Sequence, residues 1–415
     1  MRFGAEKMMN QLQDVPSSVA FERISRLQGE LQSGGMDGML LTQNIDLYYF
    51  TGSMQTGYAF IPVQGEPVFY VKRSVERAKQ ETGVTVKELG AFRQFRETLA
   101  RDYPKLFGSG QNLRIAADLD VLPAQTYLKL AELLASPDGN VKLLDGSASI
   151  RKLRMIKSEL EVERIEAAAK AVDEALTESL NDLHEGMSEL SWIARIEYEL
   201  RIRGHIGLMR MRGYNQEIAT GMLIAGAAAA MPSYFDGPAG GLGLGAASPQ
   251  SVSRSLIRRN EPILLDIGCC IDGYIIDQTR TAVIGELQEK LAFAYETSEA
   301  ILREAEKRMI PGTVCSALYT HSLEQALSAG LSAHFMGYGA DQAKFLGHGI
   351  GLEIDEWPVL AKGFDMPLQP GMVIAVEPKF TFPGQGVVGI ENSYLITNES
   401  PRPLTRTKEE LIKLP

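Results

Sequence analysis

Two aspartates on one short hairpin are the first residues that point to chemistry. In PILLDIGCCIDGYIIDQTRT, Asp272-Gly273 is a strong two-residue turn signal. That turn sets Ile271 opposite Tyr274, Gly268 opposite Asp277 and Asp266 opposite Thr279. Asp266 and Asp277 then leave the same face as diagonal neighbours, about 7–8 Å apart at the backbone. Taken alone, such a hairpin is also satisfied by one aspartate facing solvent and the other capping a turn. Two further acids weigh against that. Glu377 closes the apolar strand GMVIAVE, and Glu391 sits inside the strand GVVGIENSYLI. His348 lies in a glycine-rich turn, LGHGIG. Four carboxylates on neighbouring strands repel unless cations stand among them. Two divalent ions match them in charge, and oxygen donors with one imidazole suit Mn²⁺, Co²⁺, Fe²⁺ or Zn²⁺, manganese first. A pair of metals roughly 3.5–4 Å apart would hold an activated water for hydrolysis.

The flanking pattern says which elements must carry these residues. From about residue 15 to 150, strands and helices alternate, as in an α/β domain. FERISRLQGELQ spaces Phe21, Ile24, Leu27 and Leu31 helically and stops at Gly34-Gly35. MDGMLLT, YAFIPV with EPVFYVK, LRIAADLD and VKLLDG supply strands. Near residue 155 the pattern changes to long amphipathic helices: KSELEVERIEAAAKAVDEALTESLNDL, SELSWIARIEYELRIRG, GELQEKLAFAYETSEAILREAEKRM and TVCSALYTHSLEQALSAG. Antiparallel hairpins lie between and after them, which predicts an α+β second domain. PAGGLGLGAASP, residues 238–249, has glycines but no GK[ST] and no helix behind it, so a loop near a site is expected rather than a phosphate loop.

Composition limits the alternatives. The chain has 415 residues, a formal charge of −10 and a pI near 5.3, with no basic run to bind nucleic acid. Cys269, Cys270 and Cys315 are too few and wrongly spaced for a disulfide framework or a zinc finger. GMLIAGAAAAMP, the longest uncharged run of small residues, is too short to span a bilayer, and the first residues, MRFGAEKMMNQLQDVPSS, lack the apolar core of a signal peptide. A cytoplasmic protein with no nucleic-acid or membrane partner is expected.

The five candidate ligands resemble those of the pita-bread metallopeptidases, the family of prolidase, aminopeptidase P, methionine aminopeptidase and creatinase. Asp266 and Asp277 stand eleven apart in LDIG…DQTRT, His348 lies in LGHGIGLE, Glu377 follows it by 29 in VEP, and Glu391 by a further 14 in GIEN. RMIKSELEVERI resembles the segment that opens the family's catalytic domain, and NIDLYYFTG a segment of its creatinase-type N-terminal domain. The resemblance implies a creatinase-like α/β domain over residues 1–153 and a pita-bread α+β catalytic domain over 154–415. It implies that Asp266 chelates one metal, that Asp277 and Glu391 bridge both, and that His348 and Glu377 hold the other. Glu377 would also be the general base. A homodimer is implied as well.

Several positions depart from the family pattern. Seven residues after His348, where a second histidine is usual, stands Asp355. Ser233 replaces a histidine after proline in AAMPSYFDG, Lys379 replaces the glycine after EP, and Gly389 replaces an arginine two residues before Glu391. Asp355 either grips a cationic part of the substrate, acts when protonated, orients His348, or pairs with Lys379. Lys379 either supplies positive charge to an oxyanion or is a solvated lysine at a strand end. Ser233 and Tyr234 either line the pocket as donors or belong to a plain loop. Arg280 is expected to support the hairpin, and Trp357 to pack. The expected function is a dinuclear-metal hydrolase of the Xaa-Pro aminopeptidase or dipeptidase kind, acting at the N-terminal residue of short peptides. The alternatives are a metal-dependent hydrolase or lyase of a small non-peptide molecule, as in the family's ectoine hydrolase and dimethylsulfoniopropionate lyase branches, and a binding protein on a catalytically impaired fold.

Overall fold

The computed structural model describes residues 14–108, 111–135 and 141–415. Most of the N-terminal stretch read for a signal peptide lies outside them. The chain divides into two compact units, Met1–Leu153 and Arg154–Pro415.

In the first unit the helix Ser17–Ser33 buries Ile24, Leu27 and Leu31, three apolar positions on one face, while Phe21 at its edge stays 38% exposed. Six described strands form one mixed sheet: β1 (Gly38–Leu41), β2 (Gly57–Pro62), β3 (Val68–Val71), β4 (Thr85–Glu88), β5 (Leu113–Ala117) and β6 (Val141–Asp145), in the order β4-β3-β2-β1-β5-β6. β2 and β3 pair antiparallel, as the turn at Gly65 predicts; β1 also pairs antiparallel with β2, while β5 and β6 join parallel after helical connections. Leu40, Phe60, Tyr70, Phe95, Ile115 and Leu130 pack together between the sheet and its helices.

The second unit carries the chemistry. β7 (Gly221–Ala225), β8 (Ile263–Ile271), β9 (Tyr274–Ile284) and β17 (Ile412–Leu414) form a four-stranded sheet ordered β17-β9-β8-β7. β10 (Phe345–Gly349), β11 (Glu356–Ala361), β12 (Val373–Val376), β15 (Asn392–Leu395) and β16 (Arg402–Pro403) form a second, ordered β11-β10-β12-β15-β16. β13 (Lys379–Phe382) pairs with β14 (Gly386–Gly389) in a two-stranded sheet. The helix Glu159–Leu180, opened by a capping box of Ser158 and Glu161, packs on β8 and β9. The helices Glu289–Arg308 and Cys315–Ser328 bury Tyr295, Leu302 and Leu318 in a core with Phe335, Ile374 and Phe380. Each such buried side chain contributes about 1.5–3 kcal/mol.

Three local expectations change. β7 forms within the uncharged run GMLIAGAAAAMP, where no strand was expected. His348 lies on a strand, paired with Ala375, and not in a turn. Glu391 lies at a break between β14 and β15, bridged to Thr279, and not inside one strand. No described helix is long and apolar enough to cross a membrane.

Candidate metal centre

The hairpin register is the one the Asp272-Gly273 turn dictates. Asp272 and Gly273 both take positive φ, 49° and 87°, which glycine adopts freely and aspartate tolerates. Asp266 therefore pairs with Thr279 and Gly268 with Asp277. Both aspartates are buried on one face of β8 and β9. β10 brings His348 beside β12, whose end carries Glu377. The break after β14 brings Glu391 to Thr279, whose hydroxyl donates to Glu391 Oε2 at 2.7 Å.

Arg280 fixes this last junction. It is fully buried and donates to the carbonyl of Glu391 at 2.7 Å, to Asn392 Oδ1 at 2.9 Å and to Thr407 O at 2.7 Å. Burial lowers its pKa to about 10, so it stays a cation at neutral pH. It supports the hairpin, as expected, by tying the next strand to it.

Five side chains that start far apart in sequence thus converge as two overlapping groups. Asp277, His348 and Glu391 offer donor atoms within 4.8 Å of one another, and so do Asp266, Glu377 and Glu391. His348 Nδ1 lies 3.1 Å from its neighbour's carbonyl, Gly349 O, and 3.4 Å from Asp355 Oδ1. Its other nitrogen faces the acids, 3.6 Å from Glu377 Oε1. A proton on Nδ1 leaves Nε2 as the donor to a metal.

The electrostatics describe a cluster short of positive charge. Burial and the carboxylates of Glu391 and Asp266 push Asp277 well above its ordinary pKa. Burial also raises Asp266, although Lys379 opposes it. Burial, Glu391 and Asp266 push Glu377 up to about 7 against the pull of Lys379 and His348. Burial would raise Glu391 too, but Lys379, His348 and the Thr279 hydroxyl bring it below its usual value. Burial would lower His348, and Asp355, Glu377 and Glu391 more than reverse this.

The family model of Metallopeptidase family M24 matches residues 163–398, and that of the Creatinase/Prolidase N-terminal domain matches residues 23–156. The chain belongs to metallopeptidase family M24. It is 28% identical over 397 residues to the Xaa-Pro dipeptidase of Pyrococcus furiosus, covering 94% of this chain and 99% of the relative. It is likewise 28% identical over 400 residues to the Xaa-Pro dipeptidase of Lactobacillus delbrueckii subsp. lactis, covering 94% and 99%. Among solved structures, the prolidase of Pyrococcus horikoshii superposes with a TM-score of 0.78 at 25% identity, over 94% of this chain and all of that one. The Xaa-Pro dipeptidase of Bacillus anthracis gives 0.79 at 26% identity, over 95% of this chain and all of the other. This M24 protein is therefore a metal-dependent hydrolase with a creatinase N-terminal domain and a pita-bread C-terminal domain.

The M24 family uses dinuclear divalent metal centres, and the donor chemistry here fits a divalent cation. Glu391 is 1% exposed, yet its Oε1 has no hydrogen-bond partner. A buried carboxylate oxygen without a donor is costly unless a cation meets it.

A cavity of about 180 Å³ opens beside the cluster, and Asp266, Asp277, His348, Asp355 and Glu377 stand in its wall. Ser233 and Tyr234 do not line it. They stand in a neighbouring cavity of about 570 Å³ on the other side of residues 235–238, with Tyr234 57% exposed. Phe235 and Asp236, the next two residues, reach both cavities. Sequence reasoning missed Asp236, Phe235 and Phe345, which carry no spacing signal. Thr279 was legible as the residue facing Asp266, but not as a donor to Glu391. Asp355 stands beside His348 with its side chain 46% exposed. Lys379 is not a solvated lysine: it is fully buried, and its ammonium meets Glu377 at 2.5 Å, Glu391 at 3.1 Å and Asp266 at 3.2 Å.

Proposed function

We propose that this M24 enzyme removes the N-terminal residue of short peptides, Xaa-Pro dipeptides and longer Xaa-Pro peptides among them. The observation that carries this is the convergence of Asp266, Asp277, His348, Glu377 and Glu391, the first four of them in the wall of one small cavity that also bears Asp236 and Asp355. The two overlapping donor groups make two cation positions that share Glu391, with Asp266 and Glu377 on one side and Asp277 and His348 on the other. Among Mn, Co, Fe and Zn, an oxygen-rich set with one imidazole favours manganese. A bound divalent ion would supply a Lewis acid and an activated water.

The protein's own groups do the rest. Glu377, in the cavity wall among the donor groups, is placed to take a proton from the attacking water and return it to the leaving amine. Asp236 and Asp355 present negative charge to the cavity, which suits the free α-ammonium of a peptide rather than a developing oxyanion. Phe235, Phe345, Ile354 and Val359 supply an apolar wall that excludes water from the reacting carbonyl. In this reading residues 154–415 form the pita-bread catalytic domain and residues 1–153 the creatinase-like domain, and the enzyme acts as a homodimer, which light scattering reads directly.

A panel of Xaa-Pro dipeptides, Xaa-Pro tripeptides and their N-acetylated forms, assayed with Mn²⁺ or Co²⁺, tests the assignment. Turnover should be confined to free amines, with N-acetylation costing at least a hundredfold. Comparable rates for acetylated and free peptides would refute amine recognition. No turnover of any peptide by metal-loaded protein would pass the assignment to a small non-peptide substrate, which the small cavity and the acid at Asp355 favour next.

A further inference from the structure

Lys379 is the one described residue that places a cation inside the cluster of acids without help from solvent. It leads β13, and its cross-strand partner on β14 is Gly389. Its ion pairs are with Asp266, Glu377 and Glu391. These are the members of one of the two donor groups, while Asp277 and His348 belong to the other. An ammonium held by three carboxylates stands where a metal ion bound by the same three would stand, and the two cannot share the position.

The backbone keeps the ammonium there. Lys379 is fully buried at the head of β13. Its chain lies over Gly389: a Cβ at 389 would come within 2.6 Å of Lys379 Cγ and 2.7 Å of its Cα. The two departures from the family pattern, a lysine where glycine is usual and a glycine where arginine is usual, are thus a single cross-strand pair. The strand that lost its side chain makes the room that the facing strand fills.

Hydrogen bonding agrees with this division. Glu391 shows the same split between its two oxygens. Oε2 is taken by Lys379 at 3.1 Å and Thr279 at 2.7 Å, while buried Oε1 has no partner. One oxygen serves the built-in cation and the other is left for a metal.

We infer that Lys379 is a resident cation: its ammonium fills the Asp266–Glu377–Glu391 position, and the centre takes one divalent ion, at Asp277–His348–Glu391, instead of two. This rests on the metallohydrolase assignment but changes its metal count. It also makes Lys379 a fixed positive charge beside Glu377, on the side of the cavity where a second metal would otherwise stand.

The test is stoichiometry. Metal-stripped full-length protein is titrated with Mn²⁺ by calorimetry, and the saturated, desalted protein is analysed for metal by mass spectrometry. The wild type should bind one ion per chain. Lys379→Gly, and Lys379→Ala as a second variant should the first fail to fold, should bind two. Electron paramagnetic resonance should show an isolated Mn²⁺ ion in the wild type and a spin-coupled pair in the variants. Two ions per wild-type chain would overturn the inference and leave the metallohydrolase assignment standing. One ion in a folded Lys379→Gly protein would overturn it too, because removal of the lysine would then have opened no position. No ion bound by either protein would remove both.

Discussion

Glu356→Gln should destabilise the catalytic unit by ~3 kcal/mol at neutral pH and by much less in acid. Glu356 opens β11, directly after the turn that separates His348 from Asp355, and it is buried. Its Oε1 accepts from Arg154 Nη2 at 2.6 Å and from the backbone of Leu352 at 2.8 Å and Glu353 at 3.2 Å. Its Oε2 accepts from Lys157 at 2.9 Å. Burial alone would raise its pKa, but Arg154 and Lys157 more than offset this and lower it from 4.5 to about 2. At about 1.36 kcal/mol per unit, that gap of roughly 2.5 units is ~3 kcal/mol of stability in the ionised form, and breaking a buried pair independently costs about 3–5 kcal/mol. Glutamine keeps the shape and mimics the protonated acid.

The sign fixes the pH window. A carboxyl whose folded pKa is depressed stabilises the fold above its unfolded pKa, and the gain is lost as pH falls through the folded value. The difference between wild type and Glu356→Gln should therefore shrink from ~3 kcal/mol at pH 7 to ~1.4 kcal/mol at pH 3. Guanidinium unfolding followed by tryptophan fluorescence reads it selectively, because both tryptophans, Trp192 and Trp357, lie in the unit Arg154–Pro415. A difference below ~1 kcal/mol at pH 7, or one that does not change with pH, would show that Arg154 and Lys157 do not hold this carboxylate in charged form.

Two further outcomes are expected. Gly389→Ala should cost about 1–3 kcal/mol of stability, since the new Cβ meets the backbone of Lys379 and Pro378 O at 2.7 Å as well as a flexible side chain; thermal unfolding unchanged from wild type would show that β13 and β14 separate freely. Asp355→Asn should weaken Mn²⁺ affinity about 10-fold or more by calorimetry without lowering the melting temperature, because Asp355 holds the outer nitrogen of His348 while remaining half exposed; unchanged affinity would leave the ring oriented by Gly349 O alone.

What could be read in the sequence was whatever local geometry decides. A two-residue turn with period-two strands fixes register, so the facing of Asp266 with Thr279 and of Gly268 with Asp277 followed from Asp272-Gly273 alone. Helical spacing placed Glu159–Leu180 and Glu289–Arg308 for the same reason. What failed was whatever distant segments decide. β7 was missed because a run of small residues carries no period, and only pairing with β8 makes it a strand. Glu391 looked like the interior of a long strand; its bridge to Thr279 and the Arg280 bond to its carbonyl break that strand in two.

Lys379 shows the limit most clearly. Judged by its own strand, an ammonium at the head of KFTF belongs in water, since burying an isolated one costs many kcal/mol. Its burial becomes favourable only when acids 113 residues before it, two before it and 12 after it arrive together, as Asp266, Glu377 and Glu391 do. The converse holds for those acids: each reads as a metal ligand only while the cation among them is taken to come from outside. With Lys379 in place, three of the four carboxylates already have a cation, and only Asp277, His348 and the unpaired Oε1 of Glu391 still call for one. The same five residues thus support a different metal count once a sixth is placed, and it is the facing glycine at 389, the least reactive residue of the set, that lets the sixth be there.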